Sequence, residues 1–300
     1  MTLGPVLQAA ALSRPLEQAL GSKANLFFTP TKTSYLAVST LVSQSIQPIV
    51  IVTASARQSE ELTSALVALN DNIEIIDFPA WETLPHERLS PSAETVGKRL
   101  KALHRMNQLA AKPAKHKVAI MISIRALLQP VIGGLEKHPP FQMLKGKEYL
   151  LPELSLKLIE IAYERVDMVT RRGEFAIRGG ILDVFPTTAE HAVRLEFFGD
   201  HLEDIREFQV ADQRSIATEV DGIDLYPARE MLITPAVASK AREMAHEFPN
   251  LSEMLTKISE GIPVAGMESL APTLVPSLGP ITQYLPGATF LLMEPELLET

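Results

Sequence analysis

"PIVIVTASARQSEELTSALVAL", residues 48–69, decides the fold. Its opening, Pro48 to Ala54, is an apolar run of strand length built from β-branched side chains that suit a sheet. Ser55-Ala-Arg-Gln58 then has the Ser-x-x-Gln spacing of a capping box, which satisfies orphan N–H groups at a helix start. A strand feeding straight into a capped helix is half of a βαβ unit. Working outward, "LFF" at 26–28, "IEIIDF" at 73–78 and "KVAIMIS" at 117–123 are further strand-length runs. Ser90-Pro91 reads as an N-cap with Pro at the first helical position. Val96, Leu100 and Leu103 follow at helical spacing, with Lys98, Arg99 and Lys101 on other faces. Such alternation predicts a mostly parallel sheet covered by helices.

The texture changes near Pro130. Residues 141–149 are expected as strand and 153–163 as helix, with Leu154, Leu158 and Ile161 on one face. Ribbon-like segments follow at 166–170, 174–185 and 192–198. In the last, Val193, Leu195 and Phe197 alternate with Arg194, Glu196 and Phe198, and Phe198-Gly199-Asp200-His201 signals a turn. This is an α+β module of roughly ninety residues, small but foldable. From about residue 228 the pattern is helical again through "SKAREMAHEF", and then Pro- and Gly-rich. "ATFLLMEP" reads as a buried strand; stopping at Thr300 just after it suggests the N-terminal piece of something longer. The segments are thus 1–130, 131–227 and 228–300.

The bulk numbers exclude several functions. Three hundred residues with 36 acidic and 28 basic side chains give a net charge of -8, which argues against the whole molecule coating DNA while still allowing a local basic patch. There is no cysteine, hence no disulfide, thiolate nucleophile or Cys-ligated zinc. A signal segment and an 18-residue apolar run are both lacking, which makes the cytoplasm the default and argues against a membrane. The seven histidines form neither a His-x-x-x-His pair nor a His-Glu-x-x-His motif, and His86-Glu87 reads as a solvated pair. No Gly-x-Ser-x-Gly elbow is present, and Glu203-Asp204 falls on an expected exposed face. Trp81 either packs in its own domain or stacks on a base, and packing is the commoner use.

"FFTPTKTSYLAVSTL" at 27–41 stands where a phosphate loop would. Thr29, Pro30, Lys32 and Thr33 are its remnant. A phosphate loop needs glycines so that successive N–H groups wrap the phosphates; here there is none, and Pro30 removes a donor. No cofactor is therefore expected in this chain. That leaves "RRGEFAIRGGILDVFP", residues 171–186. On a regular strand Arg172, Glu174, Ala176 and Arg178 share one side, and Gly179-Gly180 invites a bulge. Arg165 arrives from the helix before it. Arginine forks bind carboxylates bidentately, which suits an acidic protein partner. Phosphates of a nucleic acid are a second reading. Internal pairing with Glu174, Asp183, Glu196 or Glu203 is a third.

Two stretches carry a resemblance. "FPAWETLPHERLSPSAETVGKRL" at 78–100 and the block from Arg171 to Ser215 resemble the N-terminal part of the bacterial transcription-repair coupling factors, the Mfd family. The second block, with Arg172-Gly-Glu-Phe-Ala-Ile-Arg-Gly179 and Glu196-Phe-Phe-Gly-Asp200, also resembles domain 2 of the excision-repair helicase subunit UvrB. The similarity runs from about residue 25 and weakens in the Pro-rich tail. It implies an α/β fold: a degenerate P-loop helicase-like domain at 1–130, an inserted UvrB-domain-2-like module at 131–227, and the start of a further α/β portion at 228–300. It implies docking of UvrA, which brings excision repair to a stalled RNA polymerase. Carried onto this sequence, the implied interface is Arg165, Arg172, Arg178 and Asp183, with Phe185 as an apolar contributor; Phe175 and Phe197 go to the core. The family's RNA polymerase-binding domain and its ATP- and Mg-dependent motor on double-stranded DNA lie downstream, so this chain is not expected to be an enzyme. UvrB's tyrosine-rich hairpin is replaced here by "AWETLPHERLSP". A nucleotide-dependent DNA helicase fragment and a DNA-binding module using Arg171, Arg172 and Arg178 remain as alternatives.

Overall fold

The computed structural model describes residues 31–70, 72–84 and 87–298. They form two compact units, each built from separate pieces of chain: the described residues of 31–80, 105–130 and 280–298 in one, and those of 81–104 and 131–279 in the other. The three sequence segments are stretches of chain; the units are assembled across them.

The first unit is a parallel sheet with helices. α1 (Thr31–Gln44) leads to β1 (Ile49–Thr53), α2 (Ala56–Leu69) and β2 (Ile73–Phe78). α3 (Ala93–Ala111), which contributes to both units, leads to β3 (Lys117–Ser123) and the short α4 (Ile124–Leu128). β1 pairs with β3 and β3 with β2, all parallel. Every residue of β1 is buried, as expected of a parallel strand covered on both faces. Leu62 and Leu66 of α2 pack on Ile51 and Met121. The cap at Ser55 is real: its Oγ accepts from Gln58 N–H at 3.2 Å. Gln58 Oε1 accepts from Ala54 N–H at 3.0 Å, one residue before the position the capping box specifies.

The second unit holds the ribbons. After β4 (Val131–Ile132) come β5 (Phe141–Leu144), α5 (Leu151–Glu160), β6 (Glu164–Arg165), β7 (Glu174–Arg178) and β8 (Ile181–Val184). β9 (Ala192–Phe198), β10 (His201–Phe208), β11 (Ser215–Glu219) and β12 (Gly222–Leu225) follow. Six strands make one sheet in the order β11-β10-β9-β8-β7-β6, antiparallel except for β6 on β7. β5 and β12 form a separate antiparallel pair. α5 lays Leu154 and Leu158 against Phe175, Leu182, Val184, Val193 and Leu195. Further on, α6 (Pro235–Glu247) and α7 (Ser252–Ser259) pack through Ala241, Met244, Leu255 and Ile258. β13 (Leu278–Gly279) pairs with β4. β14 (Thr289–Leu292) then joins the first unit's sheet, parallel to β1.

Several expectations need correction. α3 starts at Ala93, because Ser92 Oγ takes the Thr95 N–H at 3.2 Å. Ser90 Oγ instead donates to Glu268 Oε2 at 2.6 Å and accepts from Gly266 N–H and Arg229. Arg99 is wholly buried and pairs with Glu230. The strand expected over 141–149 ends at Leu144, and 166–170 is not strand. Gly179-Gly180 is the turn of the β7–β8 hairpin, since the backbone reverses there. Among the described residues β14 is the outermost strand of its sheet, and its Leu292 is half exposed rather than buried. Asp204 is not a solvated acid: it pairs with Lys145 and Arg206.

Candidate protein-docking face

Strand alternation gives the six-stranded sheet two different faces. One carries Phe175, Leu182, Val184, Val193 and Leu195 into the module's core, with Phe197 packed beside them. On the other, register lines up Ala176, Asp183, Arg194 and Arg206 across four strands. The next row is Arg178, Ile181, Glu196 and Asp204. By the same alternation Phe198 ends this outer face, and it is 78% exposed. Ile181 is 37% exposed.

The hairpin turn fixes where Arg178 stands. Gly179 takes φ +60, a left-handed value that suits glycine. A Cβ on Gly180 would sit 2.8 Å from Phe197 O, so only glycine admits this approach of β9. Arg178 is exposed, and its Nη2 donates to the Asp167 carbonyl. Asp183 is nearly buried and held by both arms of Arg194, Nε to Oδ1 at 2.7 Å and Nη2 to Oδ2 at 2.8 Å. The Arg194 guanidinium lies 5.0 Å from the Phe208 ring centre. Stacking and a bidentate pair hold it in one orientation, which lowers the entropy lost on binding.

Three more arginines stand around this hairpin. Arg172 donates to Ala189 O at 3.0 Å, pairs with Glu94 at 3.1 Å and covers the Phe185 ring at 4.9 Å. Phe185 is buried with Val169, Ala176, Ala192 and Phe208. Arg171 pairs with Glu174 at 3.1 Å. Arg165 is exposed on the edge strand β6. Of the five residues expected at the interface, then, Arg178 and Asp183 share the outer face. Arg165 stands on the sheet's edge, and the partly exposed Arg172 lies over the buried Phe185. Arg194, Ile181 and Phe198 join the face and were missed. The signal was in the sequence: an aromatic at 198 falls on the polar side of the alternation.

Glu174 anchors the entry to this hairpin. Its carboxylate accepts from Thr170 N–H at 2.8 Å, Arg171 N–H at 2.9 Å and Thr170 Oγ1 at 3.0 Å. Burial pushes its pKa up, but these backbone and side-chain donors outweigh it and hold the group below the usual Glu value. A depressed native pKa gives stability that is present above the unfolded value of about 4.3 and lost as pH falls through the native value. Lowering pH from neutral to below about 4 should therefore cost wild type more than Glu174→Gln. Urea midpoints of both proteins across that range check this; parallel pH profiles would contradict it.

Of the phosphate-loop remnant, Thr29 and Pro30 lie outside the described residues, as do the strand expected at 26–28 and His86, and Lys32 and Thr33 fall in the first turn of α1. Among the described residues no His, Asp or Glu group is arranged to hold a metal ion. No described helix is long and apolar enough to cross a membrane.

Residues 141–231 match the family model described as the UvrB interaction domain. The chain is 38% identical to the transcription-repair-coupling factor of Mycobacterium bovis over 309 aligned positions, covering 97% of this chain and 25% of that relative. It is 35% identical to the Bacillus subtilis transcription-repair-coupling factor over 73% of this chain and 18% of the relative. With that of Escherichia coli the identity is 28%, over 85% of this chain and 22% of the relative. The chain thus spans about a quarter or less of the length of the curated relatives it matches.

Proposed function

Because residues 141–231 belong to the UvrB interaction domain family, in a chain whose homologues are transcription-repair-coupling factors, we propose that this chain recruits the UvrA subunit of nucleotide excision repair. Docking uses the outer face of the six-stranded sheet. Arg178 and the Asp183-braced Arg194 meet carboxylates of UvrA, and Phe198 with Ile181 supplies the apolar contact. The observation that supports this reading is Phe198 itself, 78% exposed on the same strand face as Arg194, which Asp183 holds in place. Exposed aromatics and oriented arginines are the residue types that dominate protein interfaces.

The role proposed is recruitment to a stalled RNA polymerase in the cytoplasm, not catalysis. Polymerase, double-stranded DNA, ATP and Mg are assigned to other parts of a coupling factor. The missing glycines around Lys32 support this assignment, since no backbone cradle for phosphates is encoded there. The test is a pull-down of the chain with purified UvrA, with and without DNA. Binding should persist without DNA and weaken with salt, as a charged face requires. Binding that needs DNA would favour the nucleic-acid reading of the arginines.

A further inference from the structure

We infer that the first unit carries a second docking site, for an acidic peptide segment with one apolar anchor residue. A cavity of about 140 Å³ opens where the chain enters β1 and β14. Its lining includes Pro48, Met106, Leu109, Ala110, Pro113 and Leu285. A dry engineered cavity of about 150 Å³ holds benzene, so the size suits one leucine or phenylalanine side chain. The floor is firm: Met106 and Ile120 are buried in the core.

The rim has a sign. The three stretches that line the cavity, 45–48, 105–117 and 280–288, contain no Asp or Glu, while 105–117 contains Arg105, Lys112, Lys115 and Lys117. Glu74 answers Arg105 and His116, at 2.5 Å and 2.7 Å, and Lys117 donates to Ser45 O. Lys112 and Lys115 flank Pro113 at the mouth, are exposed, and make no ion pair among the described residues. Cationic side chains beside an apolar hole, in a chain of net charge -8, fit a ligand with carboxylates around a hydrophobic anchor. A nucleic acid would use the lysines, but it projects no branched aliphatic side chain to fill the hole, and its largest aliphatic substituent is a thymine methyl.

The probes are short fluorescent peptides of Asp and Glu around one central Leu, the same peptide with Ser in place of Leu, and a short single-stranded DNA. The Leu peptide should bind the full chain and shift the Met106 methyl resonance. Its affinity should fall by about tenfold or more with the Ser peptide and in Ala110→Trp, which plugs the mouth from an exposed position. Lys112→Glu with Lys115→Glu should weaken it as well. The proposal is overturned if the Ser peptide or the DNA binds as well as the Leu peptide. It also fails if Ala110→Trp changes nothing, or if no peptide binds.

Discussion

Glu230→Ala is expected to destabilise the second unit by about 3–5 kcal/mol, because it leaves the Arg99 charge buried without its carboxylate. Both side chains are fully inaccessible, with Arg99 Nε 2.5 Å from Glu230 Oε1. The same carboxylate oxygen accepts from Trp81 Nε1 at 2.9 Å, and the guanidinium lies 5.6 Å from the Trp81 ring. One residue earlier, Arg229 pairs with Glu268 at 2.7 Å, and Glu268 also takes the Ser90 hydroxyl. Arg229 and Glu230 together therefore tie residues 81–99 into the second unit. Against a typical total of about 5–15 kcal/mol, losing the Glu230 side of this arrangement is severe. Urea denaturation followed by Trp81 fluorescence measures it. Replacing both partners with apolar residues of similar volume should recover much of the loss, since the cost lies in the orphaned charge. A Glu230→Ala midpoint within error of wild type would refute this.

The second large effect is on binding. Phe198→Ala should weaken the UvrA complex by about 2 kcal/mol, roughly thirtyfold, as removal of an interface hot spot does. Its thermal midpoint should stay near that of wild type, because Phe198 buries little of itself in the fold. Arg178→Glu should weaken binding at least as much, by placing a negative charge where carboxylates dock. Arg172→Ala should behave in the opposite way. It removes the contacts to Glu94, Ala189 and Phe185, so stability falls while the outer face keeps Arg178, Arg194 and Phe198. Comparing the three variants separates docking from support. Unchanged affinity in Phe198→Ala would remove the apolar half of the proposed interface.

The sequence was most legible where short-range chemistry decides. β2 and β3 fall on the residues read as strands, because each is a short apolar run with clear ends. The Ser55 cap was readable because its partner is three residues away. Arg99 was not. Its helix looks amphipathic, and the acid that makes its burial tolerable lies 131 residues along the chain. The fate of Arg172 is similar: Glu94 and Ala189 claim it from distant stretches, so an arginine that reads as free charge is paired and partly covered. Asp183 was readable as an internal acid for an arginine, but its partner Arg194 is set by β8–β9 register, which local pattern does not give. Gly179-Gly180 was read as a bulge; it is the hairpin turn, where Phe197 approaches too closely for any Cβ at 180. β14 is as apolar as a central strand, and nothing in its composition marks it as the outermost of the described strands.

The most direct measurement is amide hydrogen exchange on this chain, free and bound to UvrA. Protection should appear in β7 to β10, strongest around the Gly179-Gly180 and Gly199-Asp200 turns, with α6 and α7 unchanged. Protection confined to other segments, or no complex at all, would contradict docking through this face.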